Sequence, residues 1–163
     1  SVAVSFGYYE LCGEAIYSSY MFIGKNGEIV NNFRRVSKGW KEYDITDEHY
    51  KEGDGFKTFT YMGKRIALAV CGDLWYEENI EQINKEKFDF LLYPVYVTYN
   101  TEMWRTKLVS EYAEQAKKIP RPVFLVNSIC DADNTRGGCY AFLNGKTVCE
   151  VPMGQDGYLL VRV

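Results

Sequence analysis

Histidine and paired cysteines are scarce in this chain, and each scarcity excludes a class of site. The 163 residues include one histidine, four prolines and five cysteines. His49 alone leaves little for a metal centre or for a serine–histidine or cysteine–histidine relay. The cysteines form no Cys-x-x-Cys pair, and their odd number argues against a disulfide scaffold and against structural zinc. We therefore expect no metal and no cofactor, and a catalytic cysteine here would need a base other than histidine.

The chain also lacks a basic tract and a long apolar run. Nineteen basic and 22 acidic residues are interspersed and give a formal net charge of −3, which argues against nucleic acid or an anionic membrane as a partner. No apolar run approaches the roughly 20 residues that span a bilayer. Ser1 is not followed by a basic-then-apolar secretion signal. We expect a cytoplasmic protein.

Short strand patterns alternating with helical ones make up most of the chain. Nearly continuous apolar runs at 65–70, 88–95 and 122–129 predict strands that are buried on both faces. Between them, apolar residues at helical spacing predict helices over 77–87 and 102–118. Buried strands separated by helices indicate a layered α/β arrangement, which we assign to one domain over residues 1–163.

Two hairpins accompany these strands. One joins 15–23 to 28–36 around Lys25-Asn26-Gly27, and the other joins 139–143 to 146–151 around Asn144-Gly145. The remaining predicted elements are strands over 2–6 and 158–163 and a long polar loop over 37–55, a length that is usually functional.

The segment from Gly63 to Glu78 is the most informative about chemistry. A buried strand delivers Cys71 to a sharp turn with Gly72, and a helix follows within a few residues. Such an elbow pushes the side chain out of the sheet, near N–H groups that can stabilise a thiolate and then an oxyanion. The alternative is a packing residue, because free cysteine is among the most buried residue types.

This stretch, GKRIALAVCGDLWYEE, resembles the signature around the nucleophilic cysteine of the nitrilase, or carbon–nitrogen hydrolase, superfamily. The matching positions are Gly63, Ile66, Val70, Cys71, Asp73 and Glu78. The resemblance continues through Phe33-Arg34-Arg35, Glu52-Gly53-Asp54-Gly55, Tyr93-Pro94, the Trp104 helix, residues 124–127 and Gly137-Gly138-Cys139. It implies an α/β (α+β) fold, a layered α-β-β-α sandwich of the nitrilase type with its N-terminal part missing.

The resemblance also implies a reaction. Cys71 would attack the carbon of a small amide, nitrile or carbamoyl compound, form a thioester with release of ammonia or an amine, and be freed by hydrolysis to the acid. In the family one glutamate is the general base, a lysine stabilises the oxyanion, and a second glutamate positions lysine and substrate. No histidine is required.

Two residues compete for the role of the lysine. In the family it commonly follows an aromatic–arginine pair at the end of a hairpin strand, where this chain has Arg35. Arginine keeps the charge but not the reach and geometry of lysine. We favour Lys41, because Glu48 follows it before a Gly-Asp pair, much as the second glutamate does in the family. The alternative for all three is a solvated charge.

The expected substrate-binding residues are Gly72, beside the nucleophile, and Tyr96. Tyr96 follows Pro94 at the end of a buried strand, where ligands collect in layered α/β folds. An aromatic packing role is the alternative for Tyr96.

The general-base glutamate of the family lies on a segment that precedes the first strand of this chain, and Glu10 and Glu14 come too late in the pattern to replace it. We therefore expect a partial domain that is inactive by itself. Missing strands and helices would leave apolar sheet surface bare, so we also expect a homo-oligomer.

Three functions are compatible with the sequence. The first is an amidase or nitrilase with a small-molecule amide or nitrile as its partner. The second is an incomplete family member that serves as a structural or interaction subunit, which Arg35 and the absent glutamate favour. The third is a thiol enzyme of another kind, such as a redox or acyl-transfer protein, which the lack of Cys-x-x-Cys disfavours.

Overall fold

The first three strands form a sheet of their own. The computed structural model describes residues 2–41, 44–131 and 134–163. In it β1 (Val4–Cys12), β2 (Ala15–Ile23) and β3 (Ile29–Arg34) pair antiparallel in the order β1-β2-β3. The hairpin predicted around Lys25-Asn26-Gly27 is confirmed. The opening strand is longer than predicted, because β1 pairs with β2 along its whole length.

A six-stranded mixed sheet forms the centre of the molecule, in the order β11-β10-β7-β6-β5-β4. Its middle strands β5, β6 and β7 are parallel, and the outer pairs are antiparallel. The strands are β4 (Phe59–Tyr61), β5 (Lys64–Leu68), β6 (Phe90–Val95), β7 (Val123–Asn127), β10 (Cys139–Leu143) and β11 (Lys146–Val151), and a separate short pair is formed by β8 (Ile129–Cys130) and β9 (Thr135–Arg136).

Helices connect the parallel strands. A 3-10 helix, Cys71–Trp75, and α1, Glu77–Lys85, lie between β5 and β6. Between β6 and β7 a longer helical segment consists of α2 (Thr101–Met103), a π-helical turn (Trp104–Leu108) and α3 (Val109–Lys117). Both helices lie where the apolar spacing predicts them.

The layers are joined by two apolar interfaces. Tyr20 and Phe33 of the three-stranded sheet pack with Leu68 of the central sheet, and Phe22 packs with Ile66 and Phe90. On its other face the central sheet carries the helices, through a core that includes Ile80, Ile83, Leu91, Trp104, Tyr112 and Val123. The order is therefore three-stranded sheet, central sheet, helices. In residues 2–41, 44–131 and 134–163 no helix lies on the outer face of the three-stranded sheet.

The strand predicted over 158–163 is wrong. Tyr158 and Leu160 are 81% and 85% exposed, and their segment pairs with no strand among the described residues. A strand needs a neighbour for its backbone N–H and C=O groups, which alternating apolar residues do not provide. The predicted loop over 37–55 is irregular apart from a bridge between Tyr50 and Ile16, and its residues 42 and 43 lie outside the described ones.

Candidate active site

Cys71 lies at a strained turn directly after the chain leaves β5. Its φ of 48° is in the left-handed region, where residues other than glycine are uncommon. Cys71 also begins the 3-10 helix and is partly exposed. This is the elbow that the sequence predicts, and it turns the thiol out of the sheet.

Tyr93 stabilises the turn at Cys71 through a hydrogen bond to its backbone. Its hydroxyl donates a 2.5 Å hydrogen bond to the carbonyl oxygen of Cys71. Burial raises the pKa of Tyr93 well above its ordinary value, with nearby Tyr112 and Cys71 acting in the same direction. The tyrosine is therefore a protonated donor at every ordinary pH, which helps to keep the backbone of Cys71 in its strained conformation.

Asp73 joins the turn to the chain that leaves β3. One carboxylate oxygen accepts hydrogen bonds from the backbone N–H groups of Val36 and Ser37, at 3.1 and 2.7 Å, and the other accepts from Val70 at 2.8 Å. Burial raises the pKa of Asp73, and these N–H donors oppose that effect. A buried carboxylate with three backbone donors is well satisfied. It fixes the position of residues 36 and 37 relative to Cys71.

Arg35 is brought to the nucleophile by this link. Its Nε donates to the hydroxyl of Ser37 at 2.8 Å and its Nη2 to the carbonyl oxygen of Lys38 at 3.3 Å. The guanidinium packs against Gly72 so closely that a Cβ there would clash with Nη2. Glycine at position 72 thus allows a positive charge to lie beside Cys71.

A cleft of about 630 Å³ opens at this point between the two sheets. Cys71, Arg35 and Tyr96 line it, together with Tyr9 and Trp40, whose rings lie 6.1 Å apart. Tyr96 is 46% exposed. The structure therefore places Cys71, Gly72 and Tyr96 in one region, as the sequence suggests, and adds Arg35 to them.

Lys41 and Glu48 lie elsewhere. The Nζ of Lys41 forms a 2.9 Å ion pair with Glu52, and Glu48 is exposed on a turn beside the pair formed by Asp47 and His49. Neither Lys41 nor Glu48 is among the residues that line the cleft. Of the two residues considered for the lysine role, Arg35 is the one beside the nucleophile.

The described part of the cleft lining contains no carboxylate or imidazole that could act as a general base. Among the described residues that line it, none is an aspartate, a glutamate or a histidine. Glu10 on β1 already accepts hydrogen bonds from Arg34, Ser19 and Asn32. Within the described ranges there is also no group of three or more metal-ligating side chains.

The roles of Tyr93, Asp73 and Arg35 depend on tertiary structure. No signal in the sequence indicates the hydrogen bond of Tyr93 to Cys71. Asp73 carried a signal, since it stands two residues after Cys71 in the matching motif, but its hydrogen-bond partners on residues 36 and 37 are distant in sequence. Arg35 carried one too, through the pair Phe33-Arg34 that precedes it.

Solved structures with this fold are carbon–nitrogen hydrolases and a related synthetase. The chain superposes on a glutamine-dependent NAD+ synthetase from Acinetobacter baumannii with a TM-score of 0.77 and 18% identity, covering 96% of this chain and 30% of that one. For a carbon–nitrogen hydrolase from Helicobacter pylori G27 the TM-score is 0.73 and the identity 18%, covering 93% and 58%. For an amidase of the nitrilase superfamily from Nesterenkonia sp. AN1 the TM-score is 0.72 and the identity 13%, and the match covers 93% of this chain and 59% of that one.

At such low identities the TM-scores show a shared fold and nothing more, and the chain spans less than two thirds of the length of each of these proteins. A search of curated proteins gave no match. None of the helices in the described part of the chain is long and apolar enough to cross a membrane. The family model for carbon–nitrogen hydrolases, in contrast, matches residues 1–163. The chain therefore belongs to the carbon–nitrogen hydrolase family and has the layered α+β fold of the nitrilase type.

Proposed function

We propose that this chain provides the nucleophile for hydrolysis of a non-peptide C–N bond in a small amide, nitrile or carbamoyl compound. The observation that carries the proposal is Cys71, placed at a strained turn, open to a cleft and beside the guanidinium of Arg35. The thiolate of cysteine is the attacking species in such reactions, and a cation beside it favours the build-up of negative charge during the attack.

An amide would be hydrolysed in two stages, through a thioester at Cys71. The thiolate of Cys71 adds to the carbonyl carbon, the C–N bond breaks, and the nitrogen leaves as ammonia or an amine after taking up a proton. The resulting thioester reacts with water, which gives the carboxylic acid and restores the thiol. In this scheme Arg35, rather than Lys41, is the cation beside the reacting thiol.

The base that removes the proton of Cys71 is not among the described residues that line the cleft. We therefore propose that the chain on its own captures electrophiles at Cys71 but completes few turnovers, and that a longer protein with a further carboxylate at the cleft completes the reaction. One variant of the Nesterenkonia amidase carries acrylamide added at its active-site cysteine, which illustrates such capture in a protein of the same fold.

Alkylation tests the nucleophile. We expect a limiting amount of iodoacetamide near neutral pH to label Cys71 ahead of Cys12, although Cys12 is the more exposed. Peptide mapping by mass spectrometry measures the labelling, and a Cys71→Ser variant identifies the peptide. Labelling that follows exposure alone would contradict an activated thiol.

Ammonia release tests the reaction. We expect a panel of short amides and nitriles to give ammonia with a longer protein that contains this chain, and far less with residues 1–163 alone. The Cys71→Ser variant of the longer protein is the control and should be inactive.

An incomplete family member that acts as a structural or interaction subunit is the second candidate. The cleft lining without a carboxylate favours it. Selective labelling of Cys71 together with no ammonia release from the longer protein would support this candidate over the first.

A further inference from the structure

Arg35 is a buried cation without a carboxylate partner among the described residues. It is 9% exposed, and its described acceptors are one hydroxyl and one backbone carbonyl oxygen. Two other cations of this segment are paired, Arg34 with Glu10 and Lys41 with Glu52. Burying a charge without a counter-charge is costly, so buried cations are usually paired.

The acid nearest to Arg35 does not serve as that partner. Asp73 is close enough to interact electrostatically with Arg35, yet both of its oxygens accept backbone N–H groups. It forms no ion pair with Arg35 within 4.0 Å among the described contacts. The two hydrogen bonds described for Arg35 leave from Nε and Nη2.

The described residues that line the cleft supply no other charge. Arg35 is the one charged side chain among the described residues that line it, and the remaining ones are aromatic, small or apolar. In a site with few competing acceptors, a guanidinium binds a carboxylate more strongly than a neutral oxygen, because the hydrogen bonds are charge-assisted.

We propose that this cleft selects ligands that carry a carboxylate close to the carbon that Cys71 attacks, and that Arg35 binds that carboxylate. The substrate class is then a short monoamide of a dicarboxylic acid. The substrate class rests on the proposed function, whereas the preference of the cleft for an anion can be measured without turnover.

Two alkylating agents of nearly equal size provide the test. The thiolate of Cys71 displaces iodide from iodoacetate or from iodoacetamide, and the two reagents differ in having a carboxylate or a neutral amide beside the reacting carbon. We expect the ratio of the iodoacetate rate to the iodoacetamide rate to be about tenfold higher at Cys71 than at Cys149 in the same protein. Cys149 is the reference because it is also a partly exposed free thiol, whereas Cys12 lies beside the guanidinium of Arg34. Mass spectrometry of both peptides gives the two ratios.

Matched variants assign the preference to Arg35. Arg35→Gln should lower the ratio at Cys71 to that at Cys149. Arg105→Gln removes the same charge from an exposed helix position, paired with Glu102, and should leave both ratios unchanged. Equal ratios at Cys71 and Cys149 in the unsubstituted protein, or an unchanged ratio in a folded Arg35→Gln variant, would overturn the proposal.

A protection experiment needs no variant. Malonamate and malonamide differ in one carboxylate, and we expect malonamate to protect Cys71 from iodoacetamide at about a tenth of the concentration. Equal protection by the two compounds would also overturn the anion preference. Slow, unselective labelling of Cys71 by iodoacetamide would instead contradict the proposed function, so the two failures are distinguishable.

Discussion

The carboxylate of Asp73 determines where two other groups lie, the thiol of Cys71 and the guanidinium of Arg35. It accepts backbone N–H groups from both segments that carry them. Because all three bonds end on one buried side chain, a change at this residue should loosen the cleft without touching either functional group.

The substitution Asp73→Asn tests this positioning role. One oxygen becomes an NH2 group, which cannot accept, so at least one buried N–H loses its partner. We expect a loss of about 1–3 kcal/mol in the free energy of unfolding, measured by chemical denaturation. In protein that is still folded, we also expect the iodoacetate preference of Cys71 to fall.

Asp89→Asn is the matched control for this substitution. Asp89 is exposed and accepts one backbone N–H, from Arg65 at 2.7 Å. We expect a cost of about 1 kcal/mol or less and no change in the preference of Cys71. A loss of stability in Asp73→Asn without any change at Cys71 would show that Asp73 is structural only.

The substitution Gly72→Ala tests whether the close approach of Arg35 to Gly72 matters for the cleft. In Gly72→Ala the added methyl group would clash with Nη2 of Arg35 and lie 3.0 Å from the hydroxyl of Ser37. Crowding of this kind typically costs about 1–3 kcal/mol, and we expect the guanidinium to move and the iodoacetate preference of Cys71 to fall. The relative alkylation rates measure the effect.

Gly7→Ala is the control for Gly72→Ala, because Gly7 lines the same cleft and a Cβ there meets its nearest atom at an ordinary 3.8 Å. It should retain the preference. The same loss in both variants would mean that the cleft responds to bulk and not to the position of Arg35.

At the scale of single residues, the local sequence pattern was sufficient to predict the turn at Cys71 but not the positions of the charged side chains around it. The apolar run before Cys71 and the glycine after it predict an elbow, because both effects act within a few residues. The choice between Arg35 and Lys41 depends on how the end of β3 meets the 3-10 helix, which the sequence spacing does not reveal. Glu48 looked suitable by spacing alone and lies exposed on its turn.

At the scale of elements, a polar cluster joins the three strands of the first sheet. Glu10 on β1 accepts hydrogen bonds from Ser19 on β2 and from Asn32 and Arg34 on β3, at 2.7 Å, 3.0 Å and, for Nε of Arg34, 3.0 Å. The bond to Arg34 is the main reason that the pKa of Glu10 is lowered to about 2. The ionised carboxylate therefore contributes to the pairing of all three strands.

The lowered pKa of Glu10 predicts a pH dependence. A carboxylate whose pKa is lower in the folded than in the unfolded protein stabilises the fold above its ordinary pKa of 4.5, and this contribution disappears as the pH falls towards about 2. At pH 7 we expect Glu10→Gln to lower the free energy of unfolding by about 1–3 kcal/mol. The difference from the unsubstituted protein should shrink steadily below about pH 5, as denaturation at several pH values would show.

Glu14→Gln is the control for this prediction, since Glu14 is exposed on the turn between β1 and β2. It should change stability little at any pH. A Glu10→Gln difference that stayed constant down to pH 2 would contradict the assignment of the cluster.

The elements that the sequence predicted correctly are those whose own residues determine their structure, through a buried apolar run or through turn-forming residues. The apolar runs of β5, β6 and β7 enter the middle of a sheet, and the turn at Asn144-Gly145 has φ of 51° and 75°, as a tight hairpin requires. The three-residue β4 was missed because it is too short to show a period. The π-helical turn at Trp104–Leu108 was missed because it keeps the apolar spacing of an α-helix.

At the scale of the whole molecule, the three-stranded sheet has exposed apolar side chains on its outer face. The face of β1 that points away from the central sheet carries Val4 and Phe6, which are 55% and 43% exposed. Met21 and Ile23 lie opposite them on β2. An apolar sheet face of this kind is typical of a surface that associates with another.

We therefore predict that residues 1–163 associate through this face. Light scattering after size exclusion should give a mass well above 18.8 kDa, because association removes the apolar side chains from water. The double substitution Val4→Lys and Phe6→Lys should shift the protein to a monomer, since desolvating two ammonium groups opposes contact. Leu143→Lys with Val148→Lys adds the same charge to exposed positions of β10 and β11 and should not. A monomeric unsubstituted protein, or equal shifts in both double variants, would show that this face is not the interface.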